Sequence, residues 1–230
     1  MKSGTSSKTL SGEELQRIYK ARFEGRLKYR NDVWRVLIRD YFQTCIDVED
    51  TVLDLGAGYG EFINNVQCRK KYAMDLNPDT AERVNTDVEL LSQDCSEPWS
   101  LLDNSLDVVF TSNFFEHLPD NQVLARTLAE VKRCLKPGGR IIAMGPNITY
   151  AGSAYWDVID HRLALSEESL AKILVSQGFK IEKCIAQFLP FTMSEGLQYP
   201  TFFVAAYLRF PFSWSIFGKQ FLVIGRKDTI

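Results

Sequence analysis

Val52-Leu53-Asp54-Leu55-Gly56-Ala57-Gly58-Tyr59-Gly60 decides the fold. Thr51, Val52 and Leu53 suit a buried strand, and Gly56, Gly58 and Gly60 follow at once. Phe62, Ile63 and Val66 then take up helical spacing, so the stretch reads as strand, glycine turn and helix. Such a turn lets a ligand lie close against the main chain. A dinucleotide fingerprint requires a further glycine directly after Gly60, where this chain has Glu61, an acid that would repel phosphate. No phosphate-loop motif occurs either. Asp54, two residues before the first glycine, points instead to a ligand with positive charge.

A second acid lies in Tyr72-Ala73-Met74-Asp75-Leu76-Asn77-Pro78, at the end of the next apolar strand. It stands roughly 20 residues beyond the turn, where doubly wound folds place a carboxylate that accepts from both ribose hydroxyls. The competing reading makes Asp75 a simple turn former ahead of Pro78. D-L-G-A-G-Y-G followed by M-D-L-N-P resembles motifs I and II of class I S-adenosylmethionine (SAM)-dependent methyltransferases, in particular the type 11/12-like small-molecule enzymes. The similarity spans about Tyr19–Lys227. It implies an α/β, Rossmann-like, doubly wound sheet of seven strands whose last strand is antiparallel.

The chain has 230 residues, a length suited to one domain with a sizeable core. A net charge of −2 gives no electrostatic footprint for nucleic acid. The five cysteines are scattered, with no C-x-x-C, which suits a reducing cytoplasm and no metal site. The two histidines are far apart in sequence, which also counts against zinc. Residues 1–10 are polar, without the apolar core of a secretory signal, and are expected to be disordered. No apolar run approaches the about 20 residues of a membrane span.

Residues 11–230 read as a single domain. Ser11-Gly12-Glu13-Glu14 resembles a capping box, followed by Leu15, Ile18, Tyr19, Phe23 and Leu27 at helical spacing. A second helix is expected from about Asp32. By the resemblance, residues 11–45 form a helical lid over the cofactor, and Tyr19 and Arg22 meet the methionine carboxylate of SAM. Tyr19 as core and Arg22 as solvated charge is the other reading.

Further strands are expected near Val88–Ser92, Leu106–Phe110, Ile141–Met144, Phe179–Gln187 and Gln220–Gly225. Helices are expected over Asp120–Leu135 and after Ser166, which should cap it. Lys136-Pro137-Gly138-Gly139-Arg140 turns the chain into the fifth strand. The resemblance assigns Asp54, Leu55, Gly56, Ala57, Gly58 and Gly60 to the methionine end of SAM and Asp75 and Leu76 to the ribose. It gives Asp94 and Cys95 to the adenine, with Asn113 and Phe115 bordering the methyl group.

A hydroxyl acceptor usually needs a base, and the candidates are His117 and His161, with an ordinary pKa of about 6.5. His117 follows the fourth strand, and a purely structural role is its alternative. His161 lies in the loop after the fifth strand, with Tyr150, Tyr155 and Trp156 as candidate acceptor contacts. Ser112-Asn113-Phe114-Phe115 lacks the prolines of DNA amino-methylases, and no cysteine has the Pro-Cys or Thr-Cys context of carbon-5 cytosine enzymes. The paired glutamates of protein arginine methyltransferases and the metal ligands of catechol-type enzymes are not found. A small-molecule acceptor remains.

Residues 188–217 read as an insertion before the last strand, and Thr201–Phe217 holds ten large apolar residues with Arg209 as its one charge. A helix on the sheet edge, a dimer contact and a membrane-facing surface all fit this pattern. The tail also resembles methyltransferases of bacterial polysaccharide gene clusters, which suggests a saccharide or lipid-linked precursor as acceptor. Two other functions fit less well. One is a subunit that holds SAM or S-adenosylhomocysteine (SAH) without turnover. The other is a nicotinamide dehydrogenase, against which Glu61 counts.

Overall fold

The computed structural model describes residues 12–23, 25–191 and 198–229, apart from the side chains of Leu15, Tyr19, Arg22 and Phe23. The expectations for residues 1–10 and for a Ser11 cap lie outside the described residues. Two helices, α1 (Gly12–Phe23) and α2 (Leu27–Asp40), precede the first strand. The chain then alternates through β1 (Thr51–Leu55), β2 (Lys70–Met74), α3 (Thr80–Arg83), β3 (Val88–Leu91), β4 (Leu106–Ser112), α4 (Asn121–Cys134) and β5 (Leu135–Pro146). It closes with α5 (Ile148–Ala151), α6 (Glu167–Ser176), β6 (Phe179–Leu189), α7 (Phe202–Arg209), α8 (Trp214–Phe217) and β7 (Gln220–Lys227).

All seven strands join one sheet in the order β3-β2-β1-β4-β5-β7-β6. β7 runs antiparallel to both β5 and β6, and the other pairings are parallel. The expected architecture is therefore the observed one. β1 is central and wholly buried, which is why it is a near-continuous apolar run. Its side chains still alternate. Leu53 and Leu55 pack with Leu124, Leu128 and Val131 of α4 and with Leu170 of α6. Val52 faces the other way, into a cluster with Val33 and Leu37 of α2 and Val204 and Leu208 of α7. Helices on both faces leave the strands' carboxyl ends free. The order of connection reverses between β1 and β4, and a doubly wound sheet opens its ligand crevice there.

Several boundaries differ from expectation. No helix follows the glycine turn; residues 61–65 form only a succession of turns. Asn64 and Asn65 spend their amides on the carbonyls of Arg83 and Glu61, at 2.8 Å each, and the chain must enter β2 by Lys70. These side-chain bonds compete with a helical ladder. α2 starts five residues earlier than Asp32, because Arg30 is held by Glu61 and Asn31 by Asn65 across the fold. β5 begins directly at the end of α4. Its register to β4 advances from Leu135 to Arg140 while β4 advances only from Leu106 to Val108, so Lys136–Gly139 bulges out within the strand. Gly138 at φ 80° permits that bulge. Phe188 and Leu189, expected in the insertion, extend β6 and are buried. No helix among the described residues is long and apolar enough to cross a membrane.

Candidate functional site

One cavity lies over the carboxyl ends of β1, β2 and β4 and is lined from both sides of the switch point. Its floor is the glycine turn. Gly56, Gly58 and Gly60 have φ of 75°, 55° and 74°, a left-handed run that other residues adopt only under strain. A β-carbon on Gly56 would stand 2.4 Å from the Phe114 ring, so this position admits glycine alone. Gly60 departs from expectation. It does not border the cavity, and its left-handed turn packs on Val84 and Asn64 to shape the loop.

Asp75 forms the next wall. Its carboxylate accepts from the Gly58 N–H at 2.7 Å and the Asn77 N–H at 2.8 Å, tying the β2 terminus to the glycine turn. Burial pushes its pKa up, against the pull of the backbone donors. Asp54 lies under the turn, buried, and its pKa is raised well above the carboxylate range by burial and then by the charges of Asp75 and Glu61. Once ionised, these acids around the glycine turn suit a cationic ligand and repel phosphate. Glu61 is itself paired at 2.7 Å with Arg30, which also lines the cavity. Leu55, Ala57 and Leu76 also line the cavity.

Farther along, Asp94 and Cys95 line the cavity beside Gln93. One Asp94 oxygen accepts from the Ser96 N–H and hydroxyl, each at 2.8 Å, which fixes the turn after β3. Cys95 is not a reactive thiol: its pKa is pushed up to about 12 by burial. Asn113, at φ 51°, turns the chain off β4 and donates to Ser112 Oγ. The residue after it corrects the sequence reading. Phe114 faces the cavity, whereas Phe115 is buried in the core among Leu118 and Leu124.

The far end of the cavity holds Glu116, His117, Asp160 and His161. The Glu116 carbonyl accepts from the Arg162 and Leu163 N–H groups at 2.7 and 3.0 Å, stitching the loop after β5 to the segment after β4. That stitch sets the His117 and His161 rings 5.0 Å apart, although Asp160, the residue before His161, stands 43 positions beyond His117 in the chain. His117 Nδ1 lies 3.2 Å from both the Asp160 carboxylate and its carbonyl. Burial lowers the His117 pKa, but the Asp160 bond and the Glu116 charge outweigh it and leave the pKa raised.

The aromatic residues of this loop do not line the cavity. Tyr155 is fully buried; its hydroxyl donates to the Leu163 carbonyl and its ring packs 4.7 Å from His161. Tyr150 and Trp156 are exposed to solvent, turned outward by the helical turns of residues 148–155. Arg30, Trp34, Phe114, Phe191 and Gln220 line the site without having been read from the sequence. Phe114 adjoins the candidate Asn113, whereas the other four come from α2, β7 and a loop far from the motifs, and only the fold brings those in. The side chains of Tyr19 and Arg22 lie outside the described residues.

A glycine turn ringed by acids, an acid after the next strand and a crevice at the switch point give a Rossmann-like domain whose cavity suits a cationic ligand. Residues 53–143 match a family profile described as a methyltransferase domain. Among solved structures, one similar chain comes from the Haloferax volcanii complex between the Trm112 methyltransferase activator and a methyltransferase. It is 20% identical over 94% of this chain and 98% of that one, with a TM-score of 0.67. A SAM-dependent methyltransferase from Archaeoglobus fulgidus is 20% identical over 92% and 98%, with a TM-score of 0.64. A SAM-dependent methyltransferase from Thermotoga maritima is 17% identical over 93% and 100%, with a TM-score of 0.66. No curated protein matches the chain. Residues 53–143 thus match the methyltransferase-domain family, and the fold is that of SAM-dependent methyltransferases.

Proposed function

We propose that the protein methylates a small molecule, and that a saccharide or lipid-linked precursor is the acceptor to try first. One observation carries this reading: a single cavity runs from the Asp75 and Asp94 walls, past the glycine turn, to His117 and His161. Bound there, SAM supplies an electrophilic methyl group on a sulfonium. Asp75 accepts from the ribose, Asp94 and the Cys95 backbone meet the adenine, and Asp54 with the Gly56–Gly58 turn holds the methionine end. In this reading Tyr19 and Arg22 are assigned to the methionine carboxylate. Asn113 and Phe114 border the reacting centre and exclude water from it. His117 and His161 stand where the acceptor's proton must leave. Holding the two reactants in line can itself supply much of the acceleration, since effective molarities of roughly 10⁵–10⁸ M are reachable.

Calorimetric titration with SAM, SAH and NAD, followed by mass-shift screening of saccharides and lipid-linked sugars, tests the proposal. Binding of NAD alone would overturn it. A second reading, a SAM-holding subunit of an assembly, draws on the Haloferax volcanii chain, which was solved with an activator. Turnover by this chain alone would set that reading aside. The free cysteines suit a cytoplasmic location. The surface of residues 201–217 is proposed as a contact between two copies of the chain.

A further inference from the structure

We infer that Glu116, His117 and His161 bind a divalent transition-metal ion at the acceptor end of the cavity, an inference that rests on the methyl-transfer reading. The separation of the two histidines in sequence counted against a metal site, and the fold removes that objection. One ligand atom from each of the three residues lies within 4.8 Å of the other two. Donors sharing an ion at about 2.0–2.1 Å stand roughly 3.3 Å apart, so side-chain shifts on the order of 1 Å close the set. The Glu116 carboxylate is buried, and its Oε1 is 3.9 Å from His117 Nε2. Asp160 engages His117 through Nδ1, which leaves Nε2 facing Glu116. A carboxylate behind a ligating imidazole is the usual support of a metal-binding histidine.

The donor set decides the class of ion. Two imidazoles and one carboxylate suit Zn²⁺, Co²⁺, Fe²⁺ or Mn²⁺, whereas Mg²⁺ and Ca²⁺ favour oxygen ligands. Three protein ligands leave coordination positions open, and these face the cavity that also contains Asn113 and Phe114. An acceptor hydroxyl entering an open position loses its proton to solvent more readily. The O–CH₃ bond then forms as the S–CH₃ bond breaks, the electron pair returns to sulfur, and one proton is released overall. The ion thereby favours acceptors with a hydroxyl and a neighbouring oxygen.

The experiment is titration of the full chain, stripped with chelator, using Co²⁺, Zn²⁺ and Mn²⁺, with SAH binding measured on the same samples. Wild type should bind one Co²⁺ per chain with visible d–d absorption. Glu116→Gln and His161→Ala should lose that ion while still binding SAH. Asp160→Asn, which leaves the three ligands in place, should weaken metal affinity about 10–100-fold. SAH binding with equal metal binding in wild type and the Glu116→Gln/His161→Ala double variant would overturn the inference. So would near-ultraviolet thiolate bands that persist in that variant, which would place the ion on a cysteine. Loss of SAH binding in wild type would instead indict the methyltransferase reading.

Discussion

Single residues hold this site in a shape that few substitutions leave intact. Gly56 combines a left-handed backbone with the Phe114 ring where a β-carbon would go. Gly56→Ala should destabilise the protein by about 2 kcal/mol or more and abolish SAH binding, as read by urea denaturation and calorimetry. Asp75 ties the turn through Gly58 and, in the proposed cofactor site, also accepts from the ribose. Asp75→Asn keeps the side chain's shape, so it should weaken SAH binding about 10–100-fold through the lost charge-assisted hydrogen bonds. An unchanged affinity would remove Asp75 from the ribose site. Both Asp54 and Asp75 have pKa values raised above their ordinary range, so without ligand each keeps its proton to a higher pH than a free carboxyl. A cationic ligand selects the ionised forms. SAM affinity should therefore fall as pH drops through that raised range, and binding there should release protons. Calorimetry in buffers of different ionisation enthalpy measures the release, and a pH-independent affinity would contradict this account.

At the scale of elements, the connection between sequence and structure is closest where local chemistry and burial agree. α4 is such a case: Asp120 caps it, accepting from the Gln122 and Val123 N–H groups at 2.8 and 2.9 Å, while Val123, Leu124, Leu128 and Val131 face the sheet. Asp120→Ala should cost about 1 kcal/mol, seen as a lower urea midpoint at unchanged slope. The same agreement made β1, its glycine turn and the Ser166 cap of α6 readable from residues alone. It failed at residues 61–65, where apolar spacing favoured a helix but Asn64 and Asn65 took the backbone partners. It failed again for Phe114 and Phe115. Two adjacent aromatics after a strand look alike in sequence, and only the φ of 51° at Asn113 decides which one turns toward the cavity. Arg30 and Gln220 carry no local signal, since their place in the site depends on how α2 and β7 dock.

Across the whole molecule, the sheet's two faces are covered unequally. α4 and α6 present conventional amphipathic faces, but α7 is apolar on both sides. Val204 and Leu208 are buried against the α2 side of the core, while Phe202 and Phe203 point outward and lie 4.1 Å apart between ring centroids. Phe210, Phe212, Ile216 and Phe217 continue this exposed surface into α8. A helix held at a lipid surface usually carries a lysine- and arginine-rich polar face, and Thr201–Phe217 has only Arg209. A second copy of the chain, bringing the same aromatic surface, is the better match, because a twofold contact pairs a patch with itself. Sedimentation equilibrium should thus show a monomer–dimer equilibrium that salt does not weaken, since apolar contacts are not screened. Phe203→Ser with Phe212→Ser should shift it to monomer while SAH affinity stays unchanged, as both residues lie outside the cavity. A wild type that stays monomeric and sediments with phosphatidylglycerol vesicles would assign the aromatic surface to the membrane instead.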